Sequence, residues 1–140
     1  MAHPALHLSP ALRARLFSLA AREYPHEACG LLLGRRNEAI VQVVEVQATR
    51  NVRAAHAPPA FEVDPGAVVA AESAARRSGI EVVGVWHSHP DRPARPSAAD
   101  AAGTWEGWSQ LIVSVGAGGA EDLAAWRRHR GGFTPLPLRP

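Results

Sequence analysis

The chain has no lysine: all 15 of its basic residues are arginine, set against 13 acidic residues for a formal charge of +2. No dense basic stripe forms, and the tightest cluster, Arg127-Arg128-His129-Arg130, reads as a solvated strand end. Nothing therefore points to a nucleic-acid binder. There is one cysteine, Cys29, which excludes an internal disulfide. No stretch approaches the ~20 consecutive apolar residues of a membrane span. Residues 1–10 lack the basic start and apolar run of a secretory signal. Together these absences lead to the expectation of a soluble cytoplasmic protein with neither membrane nor nucleic acid as a partner. Hydrophobic residues, by contrast, reach 46% and charged residues only 20%, the balance of a chain that buries a core. Its 140 residues suit one compact domain, 1–140, with no internal repeat and no boundary.

Local signals give an order of elements. Ser9-Pro10 is an N-cap followed by Pro at the first helical position, and Leu12, Leu16 and Leu19 follow at helical spacing, so a helix runs from there and stops before Pro25. Residues 30–34, an apolar run between glycines, form a buried strand, with 35–38 as a turn. A second strand spans 40–48, and its alternation slips at Val43-Val44, which predicts a bulge or burial on both faces. Residues 49–61 read as an irregular loop with a short strand near Phe61. Asp64-Pro65 opens a second helix that Gly79 ends, with Val68, Ala71 and Ala75 facing the core. A central strand covers 81–89, a proline-stiffened loop 91–96, and a third helix begins at Ser97. Strands at 110–115 and 122–128, the latter followed by a Gly131-Gly132 hairpin turn, lead to an edge segment broken by Pro135 and Pro137. The expectation is an α/β or α+β fold, a mixed sheet flanked by helices.

One stretch carries chemistry: His87-Ser88-His89-Pro90, six further residues, then Ser97-Ala98-Ala99-Asp100. The strand period of two puts both imidazoles on one face, with Ser88 turned away. Two imidazoles and a carboxylate are zinc donors, and a site with three protein ligands keeps a position open for water, as zinc hydrolases require. A plainer reading stands beside this one. Histidines at a strand end can simply bond to backbone, and Ser97-x-x-Asp100 is a capping box in which Asp100 reaches back to the helix start. Asp100 is not expected to cap and ligate at once. Spacing alone selects no general base: Asp91 reads as solvated, Glu106 as surface, and Glu27 as a surface residue closing the first helical region. Cys29 reads as a small packed thiol. Trp86, Trp105, Trp108 and Trp126 read as core or pocket-wall residues, with Trp105 and Trp108 open to lining a substrate groove.

Two segments resemble the JAMM (MPN-type) zinc metalloproteases. One is Glu27-Ala28-Cys29-Gly30-Leu31-Leu32-Leu33-Gly34, preceded by Tyr24-Pro25. The other runs from Gly84-Val85-Trp86-His87-Ser88-His89-Pro90 through Pro96-Ser97-Ala98-Ala99-Asp100. Asn51, Phe61, Asp64 and Pro65 are also similar to short bacterial members. The resemblance implies a mostly antiparallel mixed sheet with the metal site between a central strand end and a helix start. It implies that His87, His89 and Asp100 bind one Zn²⁺ per chain, with water as the fourth ligand. Glu27 would take a proton from that water and return it to the leaving amine, and Ser97 would hydrogen-bond the oxyanion. The implied activity is hydrolysis of a peptide or isopeptide bond at the C-terminus of a ubiquitin-like sulfur-carrier protein. The alternatives are a non-catalytic MPN-type scaffold, which usually lacks one or more of the ligands, and a hydrolase using Cys29 with a histidine.

Overall fold

The computed structural model describes residues 4–53 and 61–140. Its elements in chain order are β1 (Ala5–His7), α1 (Pro10–Glu23), β2 (Cys29–Arg36), β3 (Ile40–Thr49), α2 (Pro65–Arg77), β4 (Glu81–Pro90), a 3₁₀ helix (Ala98–Gly103), β5 (Ser109–Gly116), β6 (Gly119–His129), β7 (Gly132–Leu136) and β8 (Leu138–Arg139). The strands form one mixed sheet in the order β7-β6-β5-β4-β2-β3-β1-β8. The β4/β5, β1/β3 and β1/β8 pairs are parallel and the rest antiparallel.

The caps act where the sequence places them. Ser9 accepts a hydrogen bond from Leu12 N (3.2 Å) and Asp64 from Gly66 N (3.0 Å), each satisfying a donor that the helix start leaves free. Gly79, at φ +71°, takes the left-handed conformation just past α2. The slip at Val43-Val44 is a bulge: Leu33 pairs with Glu45 and Gly34 with Val43, so Val44 has no opposite residue.

The sheet has a core on each face. Leu16, Leu19 and Ala20 of α1 pack with Leu6, Leu32, Val83, Trp86 and Leu111 on one side. On the other, Val68, Ala71 and Ala75 of α2 pack with Cys29, Leu31, Leu33, Phe61 and Val85. Period-two alternation along β2 sends Leu32 one way and Leu31 and Leu33 the other. Gly30 lets the Trp86 indole lie against β2: a β-carbon there would collide with the ring and with the Gln47 carbonyl, to which Trp86 Nε1 donates (2.8 Å).

Two expectations change, and one strand joins the expected elements. Ala5–His7 is a strand, because it pairs in parallel with both β3 and β8. Arg35 and Arg36 belong to β2, and the turn centres on Asn37, whose side chain accepts from Ala39 N and Ile40 N. The third helix is a single short 3₁₀ segment. Trp105, 53% exposed, lines a pocket with Val63, Val68, Ala102 and Gly103, as the pocket-wall reading expected, and its ring packs at 4.5 Å from Trp108. Of the loop expected at 49–61, residues 54–60 lie outside the described residues, while Asn51 and Val63 bridge its two sides.

Candidate functional site

His87 and His89 leave the C-terminal end of β4 on the same face as Val85, fully buried (0% and 1% exposed). Because β2 is antiparallel to β4, with Cys29 opposite His87, the residues that enter β2 lie beside the histidines. This pairing brings in Glu27 from far away in the chain. Ser88, on the opposite face from the imidazoles, pins that entry segment: its Oγ accepts from Ala28 N (2.8 Å) and its N–H donates to Ala28 O (3.0 Å). Asn51 Nδ2 donates to the Glu27 carbonyl (3.1 Å). Asp100 enters from the 3₁₀ helix, where its Oδ2 accepts from Ser97 N (2.7 Å).

The four side chains converge. One donor atom from each of Glu27, His87, His89 and Asp100 lies within 4.8 Å of the others, and all four residues are buried. His89 Nε2 is 3.1 Å and His87 Nε2 3.9 Å from Asp100 Oδ2, and His87 Nδ1 is 3.8 Å from Glu27 Oε1. Phe61 stacks on the His87 ring at 4.0 Å and 15°. Among the described residues, neither oxygen of Glu27 nor Nδ1 of His87 has a hydrogen-bond partner.

These facts fit a cation. His89 Nδ1 lies 2.8 Å from the Pro93 carbonyl, which only accepts, so Nδ1 carries the proton. In the neutral ring, Nε2 then turns a lone pair toward a carboxylate oxygen 3.1 Å away. A proton on Nε2, which makes the hydrogen bond to Asp100, or a cation beside the pair satisfies both atoms. Burial, the largest influence, pushes the His87 pKa down, against the pull of Glu27 and Asp100, so the ring is neutral at neutral pH. Burial alone would raise the Asp100 pKa, but the His89 hydrogen bond, the neighbouring His87 and the Ser97 N–H outweigh it and hold the group below its ordinary value. A carboxylate and two imidazoles, with a second buried carboxylate alongside, are a zinc-type donor set.

The cap and the site turn out to be compatible at Asp100. The oxygen that accepts from Ser97 N is the same one that faces His89, so the capping half-box aims the carboxylate instead of withdrawing it. Ser97 itself is half-buried at the start of the 3₁₀ helix. Asp91 is exposed and accepts from Tyr24 OH (2.9 and 3.0 Å), outside the cluster. Cys29 Sγ faces Thr49 Oγ1 (3.7 Å) and the Arg50 carbonyl (3.9 Å), not a histidine, and burial pushes its pKa to about 11. A thiol in that state is a poor nucleophile at neutral pH.

Two neighbours escaped the sequence reading. Gln110 of β5 is fully buried and its Nε2 donates to His87 Nε2 (2.5 Å); a polar residue opening the apolar run Leu111-Ile112-Val113 was the available signal. Arg92 places Nη2 3.6 Å from Glu27 Oε1. Its signal was a lone cation amid the prolines that join the two halves of the motif.

The desampylase of Haloferax volcanii is 36% identical over 96 residues, covering 68% of this chain and 67% of its own. The probable TtuB-protein conjugate cleaving protease of Thermus thermophilus is 40% identical over 81 residues, covering 56% of this chain and 49% of its own, so this chain spans about half the length of that relative. A JAB1/MPN domain protein from Archaeoglobus fulgidus superposes with a TM-score of 0.56 over 97% of this chain and 99% of its own, at 18% identity, a likeness of fold. The family model for prokaryotic homologs of the JAB domain matches residues 9–129, which hold every element from α1 to β6 and all four converging side chains, and the chain belongs to that family.

Proposed function

We propose that the chain is a zinc-dependent peptidase, a single domain over 1–140 acting in the cytoplasm, which hydrolyses a peptide or isopeptide bond at the C-terminus of a ubiquitin-like, sulfur-carrier-type protein. The observation that carries this reading is the buried convergence of Glu27, His87, His89 and Asp100, in which the Glu27 carboxylate has no hydrogen-bond partner among the described residues. The names of the Haloferax and Thermus relatives support conjugates of small proteins as the substrate class.

His87, His89 and Asp100 would hold one zinc ion. When bound, the metal would supply Lewis acidity and lower the pKa of water towards neutrality. Glu27, held by backbone contacts on both sides and with neither oxygen hydrogen-bonded among the described residues, accepts a proton from the attacking water and delivers it to the departing amine. Ser97, next to the cluster, offers its hydroxyl to the oxyanion that forms at the scissile carbonyl, a donor whose loss typically costs ~3–4 kcal/mol of transition-state stabilisation.

The test is metal analysis joined to turnover. Purified protein is expected to hold about one zinc per chain and to cleave a fusion extending beyond the Gly-Gly terminus of a small ubiquitin-like protein. Glu27→Gln should keep the metal and lose at least about 100-fold in rate, a loss within the typical general-base range; His89→Ala should lose both. Wild-type turnover by either variant, or full activity in chelator, refutes the reading.

A further inference from the structure

Arg92 lies where its chemistry bears on which substrates the site accepts. Its loop is tied down at consecutive carbonyls. Ser114 Oγ donates to Arg92 O (2.6 Å), His89 Nδ1 to Pro93 O (2.8 Å) and Trp126 Nε1 to Ala94 O (3.1 Å). Tyr24 OH binds the carboxylate of the preceding Asp91, and Pro90, Pro93 and Pro96 restrict the backbone further. Nη2 of the guanidinium lies 3.6 Å from Glu27 Oε1, and the Arg92 side chain is 37% exposed, so the cation borders the buried carboxylate while remaining reachable from solvent.

We propose that Arg92 is a specificity-determining residue whose guanidinium binds the free α-carboxylate of the amino acid on the leaving side of the scissile bond. The site thereby favours a single C-terminal residue, α-linked to the carrier tail, over a lysine side-chain conjugate. This rests on the peptidase reading for one point only: Glu27 hands its proton to the leaving amine, so the leaving group lies beside Glu27. In an α-amino acid the carboxylate carbon is about 2.5 Å from the amine nitrogen, from N–Cα and Cα–C bonds near 1.5 Å. An amine at hydrogen-bond distance from Glu27 therefore brings its carboxylate to the guanidinium that already borders Glu27. A lysine ε-amine carries four methylenes and no anion at comparable range. Arginine's planar fork suits a carboxylate, and a rigid loop lowers the ordering cost of holding it there.

The test compares two peptides, acetyl-Gly-Gly-Ala as the free acid and as the C-terminal amide, binding to the zinc-loaded Glu27→Gln variant by NMR titration. The acid is expected to bind about tenfold tighter. Adding Arg92→Met should bring the two within twofold, and Arg92→Lys should restore part of the preference; Arg92→Gln serves if the Met variant melts early. Equal affinities with Arg92 present, a preference that survives its removal (the carboxylate then being read by the metal), or equally tight binding of an ε-linked Gly-Gly-lysine amide would overturn the proposal. Wild-type protein that cleaves neither peptide nor fusion while the acid preference holds would overturn the peptidase reading and the leaving-side assignment with it, whereas a protein that cleaves the fusion without an acid preference would overturn this proposal alone.

Discussion

Replacing Glu27 by glutamine should make the metal-free chain more stable while disabling it. The Glu27 side chain is 4% exposed and neither oxygen has a hydrogen-bond donor among the described residues. A buried polar group left unsatisfied costs ~1–3 kcal/mol, more if charged. The compensating contact is Arg92 at 3.6 Å, and because that guanidinium is 37% exposed, solvent screening limits it to ~0–1 kcal/mol. A neutral amide of the same shape has less to lose on burial, and its carbonyl oxygen can keep the place facing Nδ1 of His87, 3.8 Å from the present oxygen. The net expectation is about 1–2 kcal/mol of added stability. For a domain of this size each kcal/mol moves the melting temperature by roughly 4 °C, so the rise is about 4–8 °C. Thermal melts in chelator, wild type against Glu27→Gln, read it directly, with turnover of the zinc form measured on the same preparations. A variant that melts lower than wild type would show that Glu27 is a well-satisfied structural carboxylate, and the argument from its frustration would fail.

The pH dependence of the metal-free chain has a sign fixed by His87. Its pKa is lower in the folded chain than the ordinary 6.5, so below that value the unfolded chain takes up a proton that the folded one refuses. Stability should be full above pH 6.5 and fall as pH drops through it, by up to about 1.4 kcal/mol per pH unit; urea melts from pH 7.5 to 5 should show this slope, and His87→Gln should flatten it. Cys29, with its pKa near 11, should react slowly with iodoacetamide at pH 7.5 in the native protein, and Cys29→Ala should retain turnover within about threefold; abolished turnover in a folded variant would revive the cysteine nucleophile. Gly30→Ala drives a β-carbon into the Gln47 carbonyl and the Trp86 indole, and should cost about 3–5 kcal/mol in chemical denaturation; a loss below about 1 kcal/mol would mean that the β2–Trp86 contact is loose.

Much of the fold was legible because it rests on local chemistry. Ser9-Pro10 and Asp64-Pro65 announce both long helices, the double valine marks the bulge in β3, and the period of two in β4 puts His87 and His89 on one face. What was illegible depends on partners. The residues of β1 become a strand only between β3 and β8. Glu27 looks like a surface acid until β2 is known to run antiparallel to β4 in the register that sets Cys29 opposite His87. The family resemblance supplied that residue where spacing could not. Gln110 and Arg92 were missed for the same reason, since each matters through a neighbour on another element.

The cluster is unfavourable by itself, and the surrounding structure explains why it does not relax. Each group in it could lower its energy by moving: Glu27 toward solvent, His89 away from Asp100, the 92–94 loop outward. Each exit is closed by an independent bond. Asn51 and Ser88 hold the segment carrying Glu27. The Pro93 carbonyl fixes the His89 ring through the nitrogen that faces away from Asp100, and Phe61 lies flat against His87. The Ser97 N–H fixes the carboxylate of Asp100. Except for the Ser97 N–H, which bonds Asp100 Oδ2 itself, these bonds are made outside the cluster and leave the Glu27 carboxylate without a hydrogen bond among the described residues. The unfavourable electrostatics therefore persist in the folded chain, where only an added positive charge can lift them. A site arranged in this way binds a cation by completing what the fold leaves open, and its affinity should fall when any one of the outer bonds is removed, even though none of those residues would touch the ion.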